Sequence, residues 1–460
     1  MLQGVSSYSV GLDELERRFG ARVSRALAAR IQHANGQTFL KPQPPDAVVW
    51  PVTTAEVSEI VCLASQHRIP VIAFGGGTSL EGQINAPEGG ISVDFSKMDK
   101  VMAVRANDLD CTVEPGVTLG KLRQELRDTG LFFPVDPGSD IASLGGMAAT
   151  RASGTTTVRY GSMRDNVLNM EAVLANGAIV RTGGRARKSA AGYDLTRLLI
   201  GSEGTLGLIT ELTLKLYGRP EATVLAVAQF KDIAGACQAA ISAIQNGLGV
   251  ARIELLDASQ MRYSLQGKSR KLAGLPALFV EFHGSAAATF NDLETFSAIT
   301  KEHGLMVFHS AFDDVERRTL WQARHDAFWS VKSACPGKEF VVTDIAVPLS
   351  RLAETVSETA QDIAESKLNA PIVGHVGDGN FHAIVAFDPS DAGEAHRVRA
   401  FLDRLVARSL AMGGTATGEH GVGQGKQRFM RDEHGTGLDV MRAIKAALDP
   451  LNILNPSKVF

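Results

Sequence analysis

Glycine placement constrains this chain more than any other feature. Pro70-Val-Ile-Ala-Phe74 reads as a strand, and it runs without a break into Gly75-Gly76-Gly77-Thr78-Ser79-Leu80-Glu81-Gly82. Consecutive glycines let backbone N–H groups converge on a concavity suited to an anion. The pattern is not G-x-G-x-x-G, and no lysine follows at the spacing of a P-loop. Taken alone, the loop could equally be a plain tight turn. Two further segments narrow the choice. Pro134 to Gly161 is poor in large apolar residues and rich in small ones, and Gly201-Ser-Glu-Gly-Thr-Leu-Gly207 precedes the apolar strand Leu208–Leu216. Three loops of close backbone approach imply a long ligand lying along the backbone, such as a dinucleotide.

Composition sets the outer bounds. With 460 residues, 44% hydrophobic and 21% charged, the chain has the make-up of an ordinary multi-domain soluble protein, not a disordered segment or a rod. A formal charge of -3 argues against an electrostatic nucleic-acid binder, which would usually carry a basic face. No apolar run reaches the roughly 20 residues that span a bilayer. Cys62, Cys111, Cys237 and Cys335 are scattered, so an iron–sulfur cluster or zinc ribbon is excluded and a reducing compartment is expected. Asp13, Glu14, Glu16, Arg17 and Arg18 occupy the place of a signal-peptide apolar region. The cytoplasm is therefore expected, ahead of a mitochondrial matrix that Arg22, Arg25 and Arg30 keep open.

Periodicity predicts a helix over 11–34, a strand at Ala47–Trp50 and a helix over Thr54–His67. Short apolar segments alternate with Gly-rich turns from 91 to 216, and one helix, Leu119–Leu126, stands out among them. After Arg219-Pro220, strands Thr223–Phe230 and Ala277–His283 alternate with helices near 233–246 and 289–303. The expected division is 1–219, then 220–410, then a tail over 411–460 that ends in a helix at 438–447.

Two segments carry titratable chemistry. In Gly374-His375-Val-Gly-Asp378-Gly379-Asn-Phe-His382, Asp-Gly is a two-residue hairpin signal. That turn would pair His375 with His382 on one face, about 5.5 Å apart at Cβ, as half of a divalent-metal site. A solvated histidine pair beside a turn is the alternative. Gly418-Glu419-His420-Gly421 sets a carboxylate and an imidazole between glycines, and a mobile charged loop is the alternative there. Arg324, on a predicted helix with Trp321, could grip a carboxylate or simply face solvent.

These motifs resemble the vanillyl-alcohol-oxidase type of FAD-binding domain. The similarity runs from about Pro45 to the C-terminus and is greatest to the FAD-dependent D-lactate dehydrogenase, glycolate oxidase flavin-subunit and D-2-hydroxyglutarate dehydrogenase group. The fold it implies is α+β: a two-subdomain FAD-binding domain plus an α+β substrate domain with an antiparallel sheet covered by helices. Gly75, Gly76, Gly77, Thr78, Ser79 and Gly82 would then bind the FAD pyrophosphate. Pro137, Asp140, Ser143, Gly146, Thr150, Ser153 and Gly154 would line the flavin and ribityl chain, with Glu203 and Ile209 on the adenine side. Residues 73–82 hold no His or Cys, so FAD should be bound non-covalently.

The resemblance also implies His375, His382 and Glu419 as ligands to a metal, usually zinc, with manganese an option. It implies His420 as catalytic base and Arg324 as the carboxylate-binding residue. The activity implied is oxidation of a D-2-hydroxy acid to the 2-oxo acid with hydride transfer to flavin N5. Ile384, where 2-hydroxyglutarate enzymes tend to carry Asn, favours D-lactate or a related monocarboxylate. The alternatives are a flavin subunit of a glycolate-oxidase-type complex or a D-2-hydroxyglutarate dehydrogenase. A metal hydrolase would leave the three glycine loops unexplained. Electrons must leave to an external acceptor: a quinone, an electron-transferring flavoprotein or a cytochrome. A homodimer is expected only from the general prevalence of such assemblies.

Overall fold

Thr54–His67 shows how directly the local sequence is obeyed. Thr53 Oγ1 accepts the Glu56 N–H as N-cap, and Arg68 closes the helix in the left-handed region at φ 55°. Val57, Ile60, Val61, Leu63 and Ala64 are buried along one stripe. Truncating such a residue, Ile60→Ala for example, costs about 2–5 kcal/mol. The structure, a computed structural model, describes residues 7–265 and 272–460. They form two compact units. The first comprises the chain up to Ser153, Ser162–Arg219 and Glu419–Phe460; the second comprises Gly154–Gly161 and Pro220–Gly418.

The first unit contains two larger sheets. One has the order Val23–Ser24, Ala47–Val49, Ile91–Asp94, Val71–Phe74, and its last three strands are parallel. Ala47–Val49 and Val71–Phe74 are fully apolar, and all four residues of the central strand Ile91–Asp94 are buried, Ser92 and Asp94 included. The other is antiparallel: Val101–Arg105, Asp110–Val113, Leu208–Lys215, Val167–Val173, Ile179–Arg181. It accounts for the short apolar segments between 91 and 216.

The single helix expected over 11–34 is not formed. Instead Ser7–Phe19 is helical, Gly20–Arg22 is one 3₁₀ turn, Val23–Ser24 pairs with Val48 and Val49, and Leu27–Gln32 is a second short helix. Gly20 leaves the helix at φ 53°, and β-branched Val23 then takes an extended conformation. Leu27 and Ile31 kept the apolar period going but are largely exposed.

In the second unit, Leu305–Ala311, Ala222–Phe230, Ala277–Gly284, Val250–Leu256, Ile372–His375, Asn380–Phe387 and Glu339–Val342 lie side by side. Ile345–Ala346 adds a short partner to Asn380–Phe387, and every pairing is antiparallel. Phe282 packs on Phe296 of helix Ala286–Glu302 on one face. Leu225, Phe279, Val373 and Ile384 pack with Trp321, Ala327 and Met261 on the other. The unit closes at Gly418, not at 410, because Ser409 Oγ donates to the Thr415 carbonyl and the Thr415 N–H to the Ala346 carbonyl.

Candidate functional site

Three loops of the first unit meet in one cleft. The strand Val71–Phe74 delivers the chain into Gly75–Gly77, and Gly77 has φ 64°. A Cβ on Gly75 would lie 2.0 Å from Ser143 Oγ, and one on Gly76 would lie 2.3 Å from the Ile141 carbonyl. The Gly76 approach is to backbone and admits no side chain, while a side chain at Gly75 would displace the Ser143 hydroxyl that caps the helix Leu144–Thr150. Gly75 through Ser79, Pro137, Ser143, Gly146, Thr150, Ser153, Glu203 and Ile209 line the cleft, and so do Glu419 and His420. Backbone exposed along a small-residue cleft is the surface a long dinucleotide needs, so these residues fit FAD.

Three of the expected residues sit elsewhere. Gly82 (φ 74°) packs against Leu40 and Gln424 outside the cleft lining. Asp140 is exposed, with its carboxylate paired to Arg123, and Gly154 belongs to the second unit. Glu203 lines the cleft, but its carboxylate turns to the C-terminal loop. It accepts the Val422 N–H at 2.6 Å and the Gly423 N–H at 2.8 Å. Complete burial pushes that carboxyl up to about 7, against the pull of those two N–H groups.

The same loop is held at other points. Gln83 Nε2 donates to the His420 carbonyl at 2.8 Å, and Ser153 Oγ donates to Glu419 at 2.8 Å. Asn455 Nδ2 donates to the carbonyls of Glu203 and Gln83. A Cβ on Gly421 would meet Glu203 Oε1 at 2.5 Å, which explains one of the flanking glycines. Sequence reasoning missed Gln83 and Asn455, which carry no signal of their own.

The second unit carries the histidine hairpin, in a register different from the expected one. Val373 pairs with His382 and Ile372 with Ala383, so residues 376–379 form a longer turn. A type I′ turn needs positive φ at both central residues, and here Gly379 has φ 83° while Asp378 does not. The Val347 N–H donates to the Gly379 carbonyl, which fixes the turn from outside. A shift of two residues preserves the face. His375 and His382 therefore still share a side, now diagonally, with ring centroids 5.5 Å apart and planes at 82°.

Each ring is oriented through Nδ1. His375 Nδ1 meets Glu254 Oε1 at 2.6 Å, and His382 Nδ1 meets the Thr343 carbonyl at 2.8 Å. Metal-binding imidazoles are held in this way, with the other nitrogen, Nε2, on the ligand side. The donor chemistry thus fits a divalent metal. Glu254 Oε2 also accepts Arg324 Nε at 2.6 Å. Burial pushes the Glu254 carboxyl up, but Arg324 and His375 outweigh it and hold it below the usual carboxylate range. Asp344, fully buried, accepts Asn380 Nδ2 and Thr417 Oγ1. Glu254 was not anticipated, although a lone carboxylate in the apolar strand Val250–Leu256 was a readable signal.

Comparison with known proteins decides the family. A model of the C-terminal domain of FAD-linked oxidases matches residues 219–459, and a model of the FAD-binding domain matches 45–183. A probable mitochondrial D-lactate dehydrogenase of Danio rerio is 47% identical, covering 95% of this chain and 88% of the relative. The chain belongs to the FAD-linked oxidases. FAD is the cofactor this family binds. An Arabidopsis thaliana mitochondrial D-lactate dehydrogenase [cytochrome] is 44% identical, over 90% of this chain and 73% of the relative. The 4-ethylphenol oxidase from Gulosibacter chungangensis shares the fold with a TM-score of 0.80 at 18% identity, covering 99% of this chain and 98% of that one. The α+β, vanillyl-alcohol-oxidase-type architecture expected from sequence is the one found.

The expectation of a cytoplasmic protein is overturned. Relatives at 47% and 44% identity carry mitochondrial names, which points to the mitochondrion instead. Composition could not discriminate, because cytosol and matrix are both reducing and both hold globular proteins of this make-up.

Proposed function

We propose that this FAD-linked oxidase oxidises a D-2-hydroxy acid, D-lactate or a related monocarboxylate, to the 2-oxo acid with the help of a divalent metal. One observation supports it above the rest: two imidazoles, each oriented through Nδ1, share a sheet face with a half-buried arginine anchored to the same carboxylate as one of them. That is a constellation for an oxygen-rich anionic substrate. The relatives at high identity, named D-lactate dehydrogenases, support the substrate class. Ile384, where 2-hydroxyglutarate enzymes tend to carry Asn, supports a monocarboxylate.

His375 and His382 are the imidazole ligands in this reading, and the sequence resemblance assigns Glu419 as the carboxylate ligand. When bound, FAD supplies a two-electron acceptor at N5, and zinc or manganese supplies a Lewis acid for the substrate's hydroxyl and carboxylate oxygens. His420 takes the hydroxyl proton as general base, with its backbone held by Gln83. Arg324 grips the carboxylate through its terminal nitrogens, and Glu254 fixes the guanidinium plane from behind. FAD is held non-covalently. The electrons would leave to an external acceptor; a cytochrome is favoured by the Arabidopsis relative's name, with a quinone or an electron-transferring flavoprotein as the other choices.

The test is metal content alongside activity. The purified protein should carry about one equivalent of zinc or manganese, and His375→Ala and His382→Ala should each lose it with FAD retained. A wild-type protein fully active after exhaustive chelation would refute the metal-dependent reading.

A further inference from the structure

The strand Val250–Leu256 carries two charged residues on one face, Arg252 and Glu254. They stand about 7 Å apart along the strand. Arg252 lies opposite Glu281, and Glu254 lies opposite His375. The helix Asp314–His325 crosses this face and repeats the spacing with Trp321 and Arg324, one turn apart. Two matched assemblies result. In one, Glu254 holds Arg324 Nε. In the other, Glu281 faces Arg252 Nε at 3.5 Å, accepts the Trp321 indole N–H at 2.8 Å and meets His283 Nε2 at 2.8 Å.

Glu281 is a fixed anion. Burial works to raise its carboxyl, but Arg252, His283 and Trp321 prevail and lower it to about 2. The Arg252 guanidinium lies 5.5 Å from the centre of the Trp321 ring. It is half-buried, and its Nε makes no hydrogen bond despite being shielded from solvent. Neither Arg252 nor Arg324 has a hydrogen-bond partner for its terminal nitrogens among the described residues. Unlike the Arg252 Nε, the terminal nitrogens of both arginines are not shut off from solvent, so each fork can be reached by an anion that arrives.

We infer that Arg252 is a second carboxylate-binding residue, gripping the same substrate carboxylate as Arg324 from the strand position two residues before Glu254, the carboxylate that holds Arg324. The inference rests on the reading of this enzyme as a 2-hydroxy-acid dehydrogenase. Each arginine has a buried glutamate behind it, hydrogen-bonded to the Nε of Arg324 and 3.5 Å from the Nε of Arg252, which limits the side-chain freedom lost on binding. One compact carboxylate offers lone pairs to both. Arg252 therefore sets affinity and substrate size, leaving proton removal to His420.

The test uses holoenzyme with FAD and metal. Oxalate affinity is read from its perturbation of flavin absorbance, and KM and kcat are measured with D-lactate. Arg252→Lys keeps the positive charge beside Glu281 and so separates binding from folding, which Arg252→Met alone would not. Both variants should raise the oxalate Kd and the D-lactate KM about tenfold or more, the scale of one charge-assisted hydrogen bond. The thermal midpoint of Arg252→Lys should stay near wild type. A Kd and KM within threefold of wild type for Arg252→Lys would overturn the inference. Arg324→Lys is the parallel arm. If it weakens oxalate and Arg252→Lys does not, the inference fails alone; if neither does, the carboxylate-binding face fails with it.

Discussion

The cleft of the first unit and the sheet face of the second are built on opposite principles. The cleft is made of backbone: at Gly75 and Gly76 an added Cβ would collide with Ser143 or Ile141. The sheet face is made of charged side chains sunk in an apolar layer, with Glu254 and Glu281 each holding an arginine. A backbone site depends on where side chains are absent and tolerates change elsewhere. A buried ionic site depends on every partner, because removing one strands the other in a low-dielectric medium. Substitutions should therefore fail differently in the two regions.

The largest effect is expected at the general base of the proposed reaction. His420→Ala should slow flavin reduction by D-lactate by about 10²–10⁴-fold in anaerobic stopped flow, with FAD content unchanged. Unchanged reduction would remove His420 from the mechanism. Next comes the backbone. Gly76→Ala puts a methyl 2.3 Å from the Ile141 carbonyl, so the purified protein should lose most of its FAD, read as the ratio of flavin to protein absorbance. Full flavin occupancy would show that this loop does not define the cleft.

On the sheet face, Glu254→Gln removes the charge that orients His375 and anchors Arg324. Metal affinity should fall about 10–100-fold in a competition titration with a chelating dye, while FAD stays bound. Loss of FAD without loss of metal would reverse the contrast between the regions. A smaller effect concerns Glu203. Its folded carboxyl lies near 7, above an ordinary value of 4.5, so the folded state keeps a proton that the unfolded chain releases. That contribution to stability is complete below about 4.5 and is lost as pH rises towards about 7. Thermal midpoints from pH 5 to 8 should show it, and Glu203→Gln should flatten that part of the profile. Mildest of all, acid precipitation should leave FAD in the supernatant. Flavin in the pellet would establish a covalent bond.

The same contrast governs what could be read from sequence. Glycine runs announce a backbone cleft directly, and the apolar stripe of Thr54–His67 announces its helix. The residues that position side chains through space were harder to see. Gln83 reaches the His420 carbonyl across 337 positions of sequence, and no local pattern encodes such a contact. The histidine hairpin lies between these cases. Residue identities and face were legible, but the register was not, because Asp378-Gly379 does not adopt the turn its composition favours. The face survived because a two-residue shift leaves the alternation intact. Periodicity alone misled at 11–34, where Gly20 breaks the helix and Leu27 and Ile31 are mostly exposed.

The most direct test is the absorbance spectrum of the metal-replete protein under anaerobic conditions, before and after D-lactate. The bound flavin should be bleached by D-lactate and not by the same concentration of L-lactate. A flavin that is bound but stays oxidised with D-lactate and with longer D-2-hydroxy acids would contradict it.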